Sequence, residues 1–135
     1  MVGRSHECDF PVSLKPLPIC TEPKFDVEGS SYEIDQRVKA ILREALSVYR
    51  VDAEALRDLR PDVIVTQAQC EVCAVNIDEV ERVAETWTGT RPNIVSLCPN
   101  SLEDIWADIQ RVADELGVSD RGVEQLKSAR PHPRV

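Results

Sequence analysis

The chain has 135 residues, 42% of them hydrophobic and 30% charged, with a formal net charge of −8. That length suits one domain with a single core. The acidic balance excludes nucleic acid and anionic membrane surfaces as partners, because both call for clustered Lys and Arg. No apolar run approaches the roughly 18 residues that span a bilayer. Residues 1–10 carry charges where a signal peptide has its apolar segment. As written, the chain is expected in the cytoplasm; a start further upstream would place it in the periplasm or another extracytoplasmic compartment.

In chain order, Val2 reads as the end of a strand. Pro11, Pro16, Pro18 and Pro23 make the following stretch loop-like, with 17–20 as a short strand. Ser30 stands three residues before Glu33, the spacing of a capping box. Ile34, Val38, Ile41, Leu42, Ala45 and Leu46 continue it as the apolar stripe of a helix. Residues 47–51 read as a short extended piece. Asp52 is the expected N-cap of a helix through Leu59, which Pro61 ends.

The β-branched run 62–66 predicts a strand covered on both faces, hence a parallel one. Asn76 is expected to cap the next helix, with Ile77, Val80, Val83, Ala84 and Trp87 on its buried face. Gly89 and Pro92 break it, and 93–97 is a further strand. Ser101 opens a helix whose apolar face comprises Leu102, Ile105, Trp106, Ile109, Val112, Ala113 and Leu116. Glu103 and Asp104 fall in its first turn, where the helix dipole favours negative charge. Gly117 suits the position just past its end. A last helix over 118–127 and a frayed tail over 128–135 complete the reading. Strand and helix in alternation predict an α/β fold in three layers, a mostly parallel sheet with helices on both faces.

In open α/β sheets ligands bind outside the carboxyl ends of the strands. Ser5, His6, Glu7, Cys8 and Asp9 are expected there, with Cys20, Gln67, Gln69, Cys70, Cys73 and Cys98. All five cysteines thus fall on one rim. Their odd number and irregular spacing do not make a disulfide framework, so free or metal-bound thiols in a reducing compartment are expected.

Three readings of the rim stay open. Cys70 and Cys73, with Cys8 and His6, have the ligand types for zinc or an iron–sulfur cluster. Cys70-x-x-Cys73 between a strand and a helix also has the form of a thiol oxidoreductase motif. Alternatively, the cysteines line a ligand crevice as small apolar side chains, and His6 is a hydrogen-bonded loop residue. Trp87 and Trp106 fall on apolar helix faces and read as core. No GxSxG, glycine-rich phosphate loop or HExxH is present, and no other catalytic arrangement is visible.

The segments Ser5–Pro11 (SHECDFP), Asp52–Val75 (DAEALRDLRPDVIVTQAQCEVCAV) and Ser96–Asp104 (SLCPNSLED) resemble the substrate-binding proteins of ABC importers for cobalamin and iron siderophores. Within the second segment, L..L.PDVI marks the superfamily, and CEVCAV is similar to the cobalamin-binding subgroup. The resemblance runs over 2–117 and implies a partial amino-terminal substrate-binding lobe there. Residues 118–135 would then be the start of a connecting helix and a disordered tail. The family's first strand and helix, and its second lobe, have no counterpart in this sequence.

The resemblance further implies a non-catalytic binding protein. Ser5, His6, Glu7, Cys8, Asp9, Gln67, Gln69 and Cys98 would face a corrinoid or other metal-chelate ligand, with His6 or Cys8 reaching its cobalt or iron. Asp78 or Glu79 would dock on the permease, and a homodimer could supply the second wall of the cleft.

Overall fold

A computed structural model describes residues 1–43, 48–68, 77–85 and 91–129, excluding the side chains of Leu42, Ile77 and Glu79. Within these bounds the chain is a mixed α/β fold. A single turn of 3-10 helix covers Val12–Leu14. Then come β1 (Thr21–Pro23), α1 (Ser31–Arg43), β2 (Tyr49–Val51), α2 (Ala53–Leu59) and β3 (Val63–Gln67). The remaining elements are α3 (Ile77–Glu85), β4 (Asn93–Leu97), α4 (Leu102–Glu115) and α5 (Ser119–Ala129).

The helix ends follow from local chemistry. Glu33 Oε2 accepts the Ser30 backbone N–H at 2.8 Å and the Ser30 hydroxyl at 2.7 Å, and Ser30 Oγ accepts the Glu33 N–H at 3.3 Å. This is the reciprocal capping box that the spacing predicts for α1. Asp52 caps α2 by accepting the Ala55 N–H at 2.9 Å. At the other end of α2, the residue before a proline is disfavoured in helical geometry. Arg60, preceding Pro61, turns into the left-handed region at φ 43° and bonds back to the Leu56 carbonyl. Ser101 Oγ caps α4 by accepting the Asp104 N–H at 3.1 Å, and Gly117, at φ 67°, closes it in a conformation that suits glycine.

Two small sheets form. β3 and β4 pair in parallel, Val63 opposite Asn93 through Gln67 opposite Leu97. β1 and β2 pair antiparallel, with Thr21 opposite Val51 and Pro23 opposite Tyr49. The second pairing corrects the expectation of a strand over 17–20. Only Ile19 pairs there, in a single parallel bridge with Arg4, and the strand proper starts at Thr21. Pro23 is tolerated because it sits at the end of a short edge ribbon.

Packing departs from the expected pattern in two places. β3 is not covered on both faces, since Val65 at its centre is 46% exposed. The apolar stripe of α4 is only partly covered, with Leu102, Ile105 and Leu116 between 43% and 54% exposed. The buried apolar residues are few and mostly small: Cys20, Val48, Leu56, Val80, Ala84, Val95 and Ala113. α3 packs on α2 and β2, while α4 packs on β4 and α5. Among the described residues no helix is long and apolar enough to cross a membrane. The expected contributions of Ala45, Leu46, Asn76, Trp87 and Gly89 lie outside the described residues, as does the tail from 130 onward.

The caps generate a stability prediction. Replacing a Ser N-cap by Ala costs about 1 kcal/mol. Ser101→Ala should therefore lower the unfolding free energy by that amount, read as a lower urea midpoint with an unchanged slope, and Ser101→Asp should restore most of it. Equal midpoints for Ser101→Ala and wild type would show that α4 does not depend on this cap. The same end of α4 carries a pH dependence. The Asn100 backbone N–H, then the Ser101 hydroxyl, hold the Asp104 carboxyl below its ordinary range. A depressed folded-state value means stability that is present above the unfolded value and lost as pH falls through the folded one. Acidification below the usual carboxylate range should loosen the start of α4.

Candidate functional site

The segment expected to meet a ligand, Ser5–Asp9, is held as a tight loop over the β1–β2 ribbon. Its base is the bridge to Ile19. The Arg4 N–H bonds the Pro18 carbonyl at 2.9 Å, and the Cys20 N–H bonds the Arg4 carbonyl at 2.8 Å. Gly3 lies close beside this bridge. A Cβ built there would sit 2.6 Å from Cys20 Sγ and 2.8 Å from a methyl of Leu59, so the approach of the chain to α2 requires glycine.

Arg4 then organises the loop from below. Its guanidinium donates to the carbonyls of Ser5 and Cys8, each at 3.1 Å, and of Lys15 at 3.3 Å. The Cys8 N–H closes the turn on the Ser5 carbonyl at 3.1 Å. Three carbonyls converging on one cation make a strong local constraint, because hydrogen bonds from a charged donor are about twice as strong as neutral ones.

From above, Thr21 and Tyr49 tie the loop to the ribbon. Thr21 Oγ1 accepts the His6 backbone N–H at 3.1 Å and lies 2.7 Å from His6 Nδ1. The Thr21 hydroxyl donates to Ser5 Oγ at 3.1 Å, which in turn accepts the Glu7 N–H at 3.3 Å. Tyr49 donates its hydroxyl to Glu7 Oε1 at 2.7 Å. Its ring meets the His6 imidazole edge to face, with centroids 4.9 Å apart and planes at 61°. Because Thr21 and Tyr49 lie on the two paired strands, the ribbon itself sets the orientation of His6.

The second group of expected site residues sits at the carboxyl end of the parallel pair. Gln67 ends β3 and is exposed, and Cys98 follows β4 and is exposed. The Ala68 N–H bonds the Leu97 carbonyl at 2.8 Å, which keeps these two strand ends side by side. Asn100 Nδ2 donates to the Cys98 carbonyl at 3.1 Å, and the Asn100 N–H bonds Asp104 Oδ2 at 2.9 Å. Beside them runs an open groove of about 310 Å³ lined by Leu97, Pro99, Ile105, Asp108, Ile109 and Val112. Asp78 lies exposed in the first turn of α3.

The cysteines do not behave as one set. Cys8 and Cys98 are exposed, whereas Cys20 is buried just before β1, so it belongs to the core and not to a rim. Burial pushes its thiol pKa up, a hydrogen bond with the Arg4 backbone opposes that, and the Asp52 carboxylate adds to the rise. Among the described residues no three His, Cys, Asp or Glu side chains gather to hold a metal ion. Gln69, Cys70 and Cys73 lie outside the described residues, as does the Glu79 side chain. Local sequence pattern did not mark Arg4, Thr21 or Tyr49 as site residues. Tyr49 reaches Glu7 across 42 positions, a separation that no local motif encodes.

Thiol accessibility gives a direct check. Brief alkylation of the native chain, read by peptide mass spectrometry, should modify Cys8 and Cys98 and spare Cys20. Cys20 should react only when the protein is unfolded. Modification of Cys20 at the rate of Cys98 would contradict its placement.

Comparison with protein-family models, curated proteins and solved structures finds no match for this chain.

Proposed function

We propose that the chain is a non-catalytic, ligand-binding lobe that captures cobalamin or a similar metal chelate for an ABC importer. The observation that carries this reading is the Ser5–Asp9 loop. Its sequence resembles the family segment, and it is held by Arg4, Thr21 and Tyr49 as a preformed loop. A preformed loop loses little ordering entropy when a ligand binds.

Three further features support it. Gln67 and Cys98 share the carboxyl end of the parallel pair, the usual place for a ligand in such sheets. The neighbouring apolar groove suits the hydrocarbon periphery of a large macrocycle. Ile94 lines a cleft with Glu81 and Ala84 of α3, whereas Leu97 lines the groove with α4. Residues of opposite parity on one strand point to opposite faces. Helices on both faces of the β3–β4 pair support the reading of a three-layer lobe with a mostly parallel sheet.

In this reading the ligand rests against the Ser5–Asp9 loop, Gln67, Gln69 and Cys98, and a second wall closes over it by hinge motion. That wall comes from a second lobe or from a second copy of the chain. Asp78 and Glu79, at the start of α3, meet cationic side chains of the permease.

The test is retention of cobalamin. The purified chain is incubated with cobalamin and desalted, and its visible spectrum and metal content are measured. A stoichiometric corrinoid spectrum is expected. A protein that lacks the corrinoid spectrum and carries stoichiometric zinc or iron would overturn the proposal and favour a metal centre at Cys70 and Cys73.

A further inference from the structure

α5 carries the chain back toward a groove that is apolar except for one acid. We propose that residues 130–135 dock along this groove in the same molecule, with their apolar side chains on its wall and an arginine on Asp108. The groove, of about 310 Å³, lies between the end of β4 and α4. Ile105 on its wall is 43% exposed, and Leu102, one turn earlier on α4, is 53% exposed. Asp108 is 15% exposed, with Oδ1 at 3.5 Å from a guanidinium nitrogen of Arg111. Among the described residues its Oδ2 is sealed with no hydrogen-bond partner. A carboxylate oxygen shut away from water without a donor is costly. The terminal torsion of Asp is broad, so a modest turn of the carboxylate presents Oδ2 to a donor in the groove.

The path of α5 brings the chain to this place. Residues 116–118 separate α4 from α5, and a link this short joins helices as an antiparallel pair. The two helices pack together. A Cβ built on Gly122 would stand 2.6 Å from the Ala113 Cβ and 2.8 Å from Gln110 Oε1. In an antiparallel pair, two turns further along α5 correspond to two turns back along α4. The end of α5 at Ala129 thus comes beside the first turns of α4, where Ile105 stands at the groove.

Residues 130–135 lie outside the described residues, and their sequence suits the groove. Arg130, His132 and Arg134 alternate with Pro131, Pro133 and Val135. In an extended chain alternate side chains point to opposite sides, so the basic groups share one side and the apolar groups the other. Prolines also bring no backbone N–H to be left unpaired against an apolar wall. The segment has two arginines and no acid, in a chain of formal net charge −8. A charge-assisted bond from one of them satisfies Asp108. Six extended residues reach roughly 20 Å, whereas Ile105 to Val112 spans about 10 Å along α4. Tethering puts the segment at the groove at an effective concentration in the millimolar range, so a weak contact is enough. A second copy packed face to face would instead set Asp108 against its own counterpart. Any ligand that uses this groove has to displace the segment first.

Methyl NMR on the full chain tests the docking. Nuclear Overhauser contacts are expected from Pro131, Pro133 or Val135 to the methyls of Ile105, Ile109 or Val112. The double substitution Arg130→Glu and Arg134→Glu should remove them and shift these three methyl resonances, while Ile64 in β3 stays unchanged. Asp108→Asn, which keeps the shape and removes the charge, should weaken the same contacts. In a mixture of labelled and unlabelled chains, isotope filtering keeps only contacts between molecules and should show none. Contacts that survive the filter would assign the groove to a second copy and overturn docking within one molecule. No such contact in the wild-type chain, or contacts unaltered by these substitutions, would overturn the proposal.

Discussion

The Thr21 hydroxyl is the constraint on which the rest of the site depends. A single oxygen takes the His6 backbone N–H, stands against His6 Nδ1, and directs its own proton to Ser5. Thr21 is in turn fixed by strand pairing with Val51, and the Asp52 N–H bonds the Cys20 carbonyl next to it at 2.9 Å. The Ser5–Asp9 loop is thereby coupled to the start of α2 through a short chain of hydrogen bonds. Losing the hydroxyl would release both the His6 ring and the path of the loop. The other two residues of β1 do not share this role: Glu22 is committed to Arg50 at 2.5 Å, and Pro23 has no side-chain donor or acceptor.

Around that oxygen the chain uses charge sparingly. Among the described residues, ion pairs such as Lys39 with Asp35 and Arg57 with Asp58 are exposed, and exposed pairs contribute little to stability. Arg4 is different. It spends its guanidinium on backbone carbonyls of the loop and not on a carboxylate. A cation used in this way shapes backbone without neutralising the acidic surface, and Glu7 and Asp9 remain as negative rim groups beside His6. A rim of this sign suits a metal chelate with net positive character.

The legible parts of the fold were those encoded by neighbours in sequence. The capping box of Ser30 and Glu33, the caps Asp52 and Ser101, the glycine at 117 and the strand 93–97 each declare themselves within a few residues, and the structure has them as read. What depends on distant contacts was not legible. The β1–β2 ribbon joins residues almost thirty positions apart, and its first strand sits in a proline-rich stretch that reads locally as loop. Burial was overestimated for the same reason. The β-branched run of β3 predicts two covered faces, yet Val65 stands exposed, and so do Leu102 and Ile105 of α4. A hydrophobic pattern specifies which face can be covered, not which element covers it. In the candidate site, Ser5 and His6 were marked by a motif, whereas Thr21 and Tyr49, which orient them, became visible only once the strands were paired.

The measurement that tests this account most directly is an equilibrium titration of the purified chain with cobalamin, followed by its visible spectrum. The account predicts saturable one-to-one binding that weakens in Thr21→Val, where the oxygen that holds His6 is lost. No saturable binding by the wild-type chain, or equal binding by Thr21→Val, would contradict it.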